Sequence, residues 1–347
     1  MLHAVVEAPG KLTVKETAIP EIGDDSALLK VESVAICGSD LRILNHGNPR
    51  VTLPAVMGHE AAGVVVKAGK NVTRVKEGDR VALGADVPCG QCRWCRDGKG
   101  NNCAVNYAVG YQIPGAFTQY MELTPLLLNN GPVTPIPDNI TFDQAALAEP
   151  LACAVNGLEL VNMSVGKSLV ILGLGPIGTM MIDLARAMGA VKVIGVQRSR
   201  TRMEIAQQYN ADVYIFSEEE DVVERCIAET NGEGPDVVVT SCGSVDTHRQ
   251  AIEMVAHRGY VNLFGGLAKD APPLTIASNL IHYKECFVTG SHGSVPRQHE
   301  IAVRLIAQGI VRVEPLVTHR FPITQINEAF DVMASRQGMK VIVHPHE

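Results

Sequence analysis

Short apolar runs broken by glycine and proline fill the first 150 residues, as at Ser26 to Val34, Ala61 to Ala68 and Asp79 to Leu83. Runs of strand length between turn formers predict an irregular, mostly antiparallel β-rich domain with few long helices. From Lys167 the pattern changes. Strand-length runs at Leu169 to Leu172 and Val191 to Val196 alternate with helix-period stretches at Ile177 to Met188 and Arg202 to Tyr209. Further strands are expected at Asp212 to Phe216, Asp236 to Thr240, Gly259 to Phe264 and Cys286 to Thr289, making six. Alternation of this kind builds a parallel sheet with helices on both faces. Beyond Gly290 the pattern gives a helix from about Arg297 to Gln308 and a closing segment, Lys340 to Val343, that need not join the parallel sheet. The predicted fold class is α/β, a doubly wound parallel sheet beside a β-rich domain.

Composition narrows the function. The chain has 347 residues, 46% of them hydrophobic, which excludes dominant disorder and is ample for two cored domains. Thirty basic against 37 acidic side chains give a net charge of −7 with no dense Lys/Arg block. Nucleic acid and anionic membrane are therefore not expected partners, and a small-molecule substrate is. With 4% aromatic residues, a large hydrophobic substrate is disfavoured. No apolar run approaches the roughly 20 residues of a membrane span. The opening Met1-Leu2-His3-Ala4-Val5-Val6-Glu7-Ala8-Pro9 has no basic leader and is interrupted by Glu7 and Pro9, so no secretory signal is expected. Nine cysteines then read as metal ligands or buried thiols in a reducing, cytoplasmic setting.

Gly173-Leu174-Gly175-Pro176-Ile177-Gly178 follows an apolar strand and opens a helix. Glycines there let a pyrophosphate approach the backbone, and the helix start offers N–H groups and partial positive charge. The plain alternative is a glycine-rich turn without a ligand. About 20 residues on, where an NAD site places an acid on the ribose, the chain has Gln197 followed by Arg198, Ser199, Arg200, Thr201 and Arg202. Guanidiniums and hydroxyls suit a 2′-phosphate, so NADP(H) is expected in preference to NAD(H), with Arg198, Ser199 and Arg202 as contacts. Otherwise these arginines form a solvated helix start and either cofactor is accepted.

Cys89-x2-Cys92-x2-Cys95-x7-Cys103 sets four thiols among turn formers, the pattern of a closed, structural zinc site. An iron–sulfur cluster also takes four cysteines, but the spacing differs from the bacterial ferredoxin run. A second constellation is scattered: Cys37, the pair His59-Glu60, and Glu149. A thiolate, an imidazole and carboxylates suit a zinc that keeps an open position. Taken singly, Cys37 reads as a small buried hydrophobe and His59 or Glu149 as a satisfied polar residue. Cys153, Cys226, Cys242 and Cys286 have apolar neighbours and read as core residues.

Cys37-Gly38-Ser39-Asp40, Gly58-His59-Glu60, the four-cysteine lobe, Glu149-Pro150 and the glycine motif occur in the order and spacing of the zinc-dependent medium-chain alcohol dehydrogenases. The resemblance spans essentially the whole chain. Glu149 in an Ala-Glu-Pro-Leu context resembles the polyol (sorbitol) dehydrogenase branch, and Gln197-Arg198-Ser199 with Arg202 is similar to its NADP-dependent ketose reductases. The resemblance implies a GroES-like catalytic domain of residues 1–152 and 288–347, with a structural zinc lobe at about 86–105. A Rossmann nucleotide domain of residues 153–287 is inserted, with the active site in the cleft. It implies two zinc ions per subunit. Cys37, His59 and Glu60 would bind the catalytic one with water, and Glu149 would bind directly or through that water. Ser39 would begin a proton relay, and a homo-oligomer, dimer or tetramer, is implied.

The chain also departs from that branch, with Arg42 and Ile43 after the Cys37 motif and Gly293-Ser294 after the last strand. Sorbitol itself is thereby disfavoured. Arg42 or Arg297 could meet an acidic group on a substrate, or could be surface residues. The leading expectation is a zinc-dependent oxidoreductase that moves hydride between NADP(H) and a secondary alcohol, polyol or sugar derivative. The alternatives are an NAD-linked alcohol or threonine-type dehydrogenase, and a catalytically silent NADP-binding sensor.

Overall fold

The alternation after residue 167 forms one six-stranded parallel sheet. Its strands lie in the order Val213–Phe216, Lys192–Gln197, Ser168–Leu172, Val237–Thr240, Tyr260–Leu263 and Phe287–Gly290. A parallel sheet is covered on both faces, so its strands must be apolar on both. Val170, Leu172, Ile194, Val196, Ile215, Val238 and Val261 accordingly form one buried cluster. The winding proceeds outward from Ser168–Leu172 to one edge, then returns through Val237–Thr240 to the other. At that reversal the carboxyl ends of neighbouring strands leave a crevice suited to a nucleotide, and Leu172 delivers the chain there into Gly173.

The computed structural model describes residues 1–347, which divide into two units. One comprises Met1–Ala152, Gly293–Gly309 and Val313–Glu347, and the other Cys153–His292 and Ile310–Arg312. The sixth parallel strand runs to Gly290, so the chain rejoins the first unit at Gly293 and not at residue 288. Ile310–Arg312 belongs to the nucleotide-type unit for a visible reason. Arg312 donates from Nε and Nη2 to the two Asp183 oxygens, each at 2.9 Å, and its guanidinium carbon lies 4.7 Å from the Tyr209 ring centre.

The first unit is built on a seven-stranded sheet, in which Ala27–Ala35 pairs antiparallel with Glu60–Ala68, Tyr120–Leu123 and Lys340–His344. The closing segment thus enters this sheet, next to Val317–Pro322, its only parallel neighbour. The helix Ala148–Leu160 is the element the sequence pattern does not announce. It is buried along nearly its whole length, and its polar residues Glu149, Asn156 and Glu159 are too few to make a helical period stand out.

The short helix Phe142–Ala146 is tied to this sheet by one carboxylate. Asp143 accepts hydrogen bonds from Ser33 Oγ at 2.8 Å, His344 Nε2 at 2.8 Å and Arg320 Nε at 2.7 Å. Burial would raise its pKa, but His344, Arg320 and Ser33 together pull it down to about 2. The His344 pKa is raised in turn, chiefly by its hydrogen bond to Asp143. The Asp143 contribution to stability is therefore present above the ordinary carboxylate pKa and lost as pH falls towards 2. The His344 contribution is complete below about pH 6.5 and lost as pH rises through its elevated pKa. Thermal unfolding followed across pH should show both limbs, and His344→Ala should abolish the alkaline limb and shrink the acid one, because His344 also helps to hold the Asp143 pKa down. Asp143→Asn should cost about 1–3 kcal/mol near neutrality, since it leaves buried partners unmet. Identical pH profiles for wild type and His344→Ala would show that the carboxylate does not clamp the helix in this way.

Candidate metal centres and dinucleotide site

Cys37 ends the stretch after strand Ala27–Ala35 and caps helix Gly38–His46 in extended conformation. Asp40, fully buried in the first turn, accepts the Cys37 N–H at 3.0 Å with one oxygen and the Gly58 N–H at 3.3 Å with the other. The same carboxylate lies 3.6 Å from His59 Nδ1. One acid thus fixes the thiol segment and the imidazole segment against each other. Gly58 must be glycine, because its φ is +95° and a Cβ would meet the Phe117 ring at 3.0 Å. Glu60 pairs in register with Ala35, which sets its side chain at the end of the sheet beside Cys37.

The Cys37 sulfur, a His59 nitrogen and a Glu60 oxygen all lie within 4.8 Å of one another. Buried Lys340 makes an ion pair with Glu60 Oε2. Glu149, in the first turn of Ala148–Leu160, lies outside that 4.8 Å group but acts on it electrostatically. Burial chiefly, with Glu60 and Asp86, pushes the Glu149 pKa up to about 7 against the opposing pull of His59 and Lys340. Burial would lower the His59 pKa, but Asp40, Cys37 and Glu149 overcome it and hold it well above 6.5. The acids Cys37, Asp40, Glu60 and Glu149 outnumber the bases His59 and Lys340. Such an excess of buried acid calls for a cation, and sulfur, imidazole and carboxylate donors fit zinc.

The four-cysteine lobe is assembled from turns at Gly90 and Gly98, both at positive φ. Cys92 Sγ lies 3.5 Å from Cys95 Sγ and 4.0 Å from Cys103 Sγ, and Cys89 Sγ lies 3.9 Å from Cys95 Sγ. A tetrahedron with Zn–S bonds of about 2.3 Å has edges of about 3.8 Å. The sulfurs are thus spaced for the ion with no open position. Backbone N–H groups of Ala104 and Cys95 pull the Cys92 thiol down to about 6, while burial and the other sulfurs push Cys95 up to about 12.

In the second unit, Gly173 has φ +102° and a Cβ there would lie 3.0 Å from Cys242 Cβ. At Gly178 a Cβ would lie 2.1 Å from the Gly173 carbonyl oxygen, so helix Pro176–Ala187 can approach the strand only with glycine. Gly175 is different: a Cβ there would meet nothing closer than Arg202 Nη1 at 3.9 Å. The backbone is bare at the helix start, with a guanidinium beside it, and that cradle fits a diphosphate. Gln197 Oε1 accepts the N–H groups of Arg198 at 2.7 Å and Ser199 at 3.2 Å. Arg200 is turned away, paired with Glu219 and lying 4.4 Å over the Phe216 ring.

Residues 23–132 match the alcohol dehydrogenase GroES-like domain and residues 176–308 the zinc-binding dehydrogenase domain. The sorbitol dehydrogenase of Bombyx mori is 32% identical over 98% of this chain and 97% of its own. The L-threonine 3-dehydrogenase of Bacillus licheniformis is 33% identical over 99% of each. A Sinorhizobium meliloti structure described as a zinc-binding dehydrogenase bound to NADP superposes with a TM-score of 0.91 at 31% identity, covering 99% of each chain. The chain belongs to the zinc-dependent medium-chain alcohol dehydrogenase family. Within it the chain falls in the branch of the polyol dehydrogenases. It is a zinc-binding, nicotinamide-dependent oxidoreductase.

In this dehydrogenase Arg42 and Arg297 are exposed, and Ile43 is buried in the core of the first unit. Ser39 stands in the first turn after Cys37. Two residues at the centre escaped the sequence reading. Lys340 lies 280 positions from Glu60, with no motif to link them. Tyr111 sits in a loop, its ring centre 6.2 Å from that of His59, and burial raises its pKa so the phenol keeps its proton. No helix is long and apolar enough to cross a membrane.

Trp94, the only tryptophan, lies between the lobe cysteines Cys92 and Cys95 and under the Arg93 guanidinium. Its fluorescence is thus a reporter of the lobe. Replacing Cys92 by serine should release about one zinc per chain, shift Trp94 emission and lower the melting temperature together, as expected for a site coupled to folding. Metal analysis beside the emission spectrum checks this, and unchanged zinc content would rule out a closed site at these cysteines.

Proposed function

We propose that this dehydrogenase passes a hydride between NADP(H) and a secondary alcohol, a polyol or sugar derivative, at a zinc held by Cys37, His59 and Glu60. The grouping of those three donors within 4.8 Å, in a pocket of excess buried acid, is the observation that carries the reading. Bound there, zinc would polarise the substrate oxygen and ease loss of its proton near neutral pH. Asp40 holds Cys37 and His59 in place, Lys340 holds Glu60, and Glu149 is the carboxylate that joins directly or through water. Ser39 takes the proton that leaves the alcohol and starts it towards solvent. A second, structural zinc occupies the four-cysteine lobe, giving two per subunit.

The NADP preference rests on what surrounds the glycine motif. Gln197 offers a neutral amide where a carboxylate would repel a 2′-phosphate, and its oxygen is engaged by its own backbone. With Arg200 held by Glu219, the phosphate contacts fall to Arg198, Ser199 and Arg202. The S. meliloti relative with NADP agrees with this assignment. Threonine-type, NAD-linked activity is the second reading, because L-threonine 3-dehydrogenases match as well as sorbitol dehydrogenases do. No disulfide joins any of the nine cysteines, which fits a reducing compartment, and we place the enzyme in the cytoplasm.

Initial rates for alcohols, polyols, sugar derivatives and threonine, each with NADP⁺ and NAD⁺, test the proposal. Polyol turnover with NADP⁺ is expected, abolished by Cys37→Ala. Arg198→Ala with Arg202→Ala should reduce the preference for NADPH over NADH about 10- to 100-fold, the worth of a charge-assisted contact or two. A wild-type preference for NADH, or threonine as the best substrate, would favour the second reading. Retained turnover in Cys37→Ala would end the zinc assignment.

The enzyme is also proposed to be a homo-oligomer, a dimer or tetramer. Phe287–Gly290 is an open edge strand with Phe287 and Val288 exposed and Tyr283 nearby at 71% exposure. An apolar open edge pairs readily with a second copy of itself. Light scattering should find a dimer or larger, and Val288→Lys should shift it towards the monomer. A monomeric wild type would refute the assignment.

A further inference from the structure

We propose that Tyr111 is the residue by which this enzyme selects substrates carrying a second hydroxyl beside the reacting one. The inference rests on Cys37, His59 and Glu60 being the reaction centre, and it names the residue that reads the substrate there. The loop bearing Tyr111 is stitched to the segment bearing His59. Gly115 N–H donates to Val56 O at 2.8 Å, Ala116 N–H to Gly58 O at 2.9 Å and Phe117 N–H to Met57 O at 2.9 Å. At Gly110 the two backbones approach so closely that a Cβ would lie 3.1 Å from Gly58 N. Tyr111 is therefore placed by the same backbone that places His59.

The ring itself is held from two sides. Its centre is 6.2 Å from that of His59 with a 47° tilt, and the Arg50 guanidinium carbon lies 4.9 Å from it. Arg50 is anchored by its Nη2 donating to Asn106 O at 2.5 Å and its backbone N–H donating to Asn48 Oδ1 at 2.9 Å. A guanidinium fixed over the ring restrains it through cation–π attraction. The hydroxyl reaches Ser39, two residues beyond Cys37.

The chemistry follows from counting donors. A hydroxyl has one proton to give and two lone pairs to accept with, so the neighbouring hydroxyls of Ser39 and Tyr111 hold two protons, and a hydrogen bond between them would use only one. That remaining O–H, beside the Cys37 and His59 donors, can be met by a substrate with a hydroxyl next to the reacting carbon. A simple alcohol has no group to offer, and a polar site left unmet discriminates strongly against such an analogue. Vicinal diols and sugar alcohols, or α-hydroxy ketones in the reductive direction, are the substrates this arrangement fits.

The test compares 2,3-butanediol with 2-butanol, using the zinc-loaded full-length enzyme and NADP⁺. Tyr111→Phe should lower kcat/KM for the diol about 10- to 100-fold more than for 2-butanol, mainly through KM. A second readout needs no turnover. Calorimetric titration of diol into the NADPH-bound enzyme, which cannot accept a hydride, should show binding weakened about tenfold in the variant. Equal losses on both substrates would mean that Tyr111 acts through Ser39 or through folding, and would overturn the proposal. So would an unaltered diol preference. A wild type that oxidises neither alcohol and binds no diol would instead overturn the reaction-centre reading, and this inference with it.

Discussion

The first unit is arranged around an excess of buried acid. Asp40, Glu60 and Glu149 are each at most 5% exposed, and the Cys37 sulfur lies among them. Burying charge without a partner costs several kcal/mol per ion, so each of these groups has to be answered from nearby. Lys340 answers Glu60 and His59 answers Asp40, both through contacts that cross from one element to another. What remains of the negative charge is what a divalent cation would neutralise. Burial chiefly, and then the acids Glu60 and Asp86, push the Glu149 pKa up to about 7.

This arrangement is costly to build from distant parts, and the fold reflects that. Asp40 spends both oxygens on backbone N–H groups of two different segments, making a carboxylate serve as a joint. Glu60 gains its place from strand register opposite Ala35, where a one-residue slip would turn it to the other face. Lys340 belongs to the last strand of the chain, inserted beside Ala27–Ala35. The C-terminal segment therefore completes the centre, and the same strand carries His344 to the Asp143 clamp. Loss of pairing at this one strand would disturb both.

Much of this was legible in the sequence, for reasons that can be named. The six parallel strands are contiguous apolar runs separated by amphipathic helices, so periodicity finds them one by one. Gly173, Gly175 and Gly178 stand in a local motif whose roles differ: steric exclusion at Gly178, an open backbone face at Gly175. The four lobe cysteines lie within fifteen residues and need only local turns to meet. Lys340 and Tyr111 were not legible, because nothing in their neighbours marks them. One is a lysine in an apolar strand and the other a tyrosine in a loop, and only tertiary pairing gives either a role. Helix Ala148–Leu160 was missed for a different reason, being mostly apolar with only Glu149, Asn156 and Glu159 to mark a period.

The arginines after Gln197 show how a composition signal is refined by contacts. In sequence Arg198 and Arg202 are the expected contacts, with Arg200 between them carrying the same charge. In the fold Arg200 pairs with Glu219 and lies over the Phe216 face. Arg202, two residues on in helix Arg200–Ala206, comes within reach of Gly175, because a rotation of about 200° separates positions two apart on a helix. On the proposed NADP reading, selectivity for the 2′-phosphate would depend on helical phase as well as on charge count. Gln197 contributes by what its oxygen already does: bonded to the amides of Arg198 and Ser199, it shapes the turn that presents them. A carboxylate at that position could accept the same two bonds and would add a negative charge beside the ribose. The neutral amide keeps the turn and, with NADP bound as proposed, would avoid that repulsion.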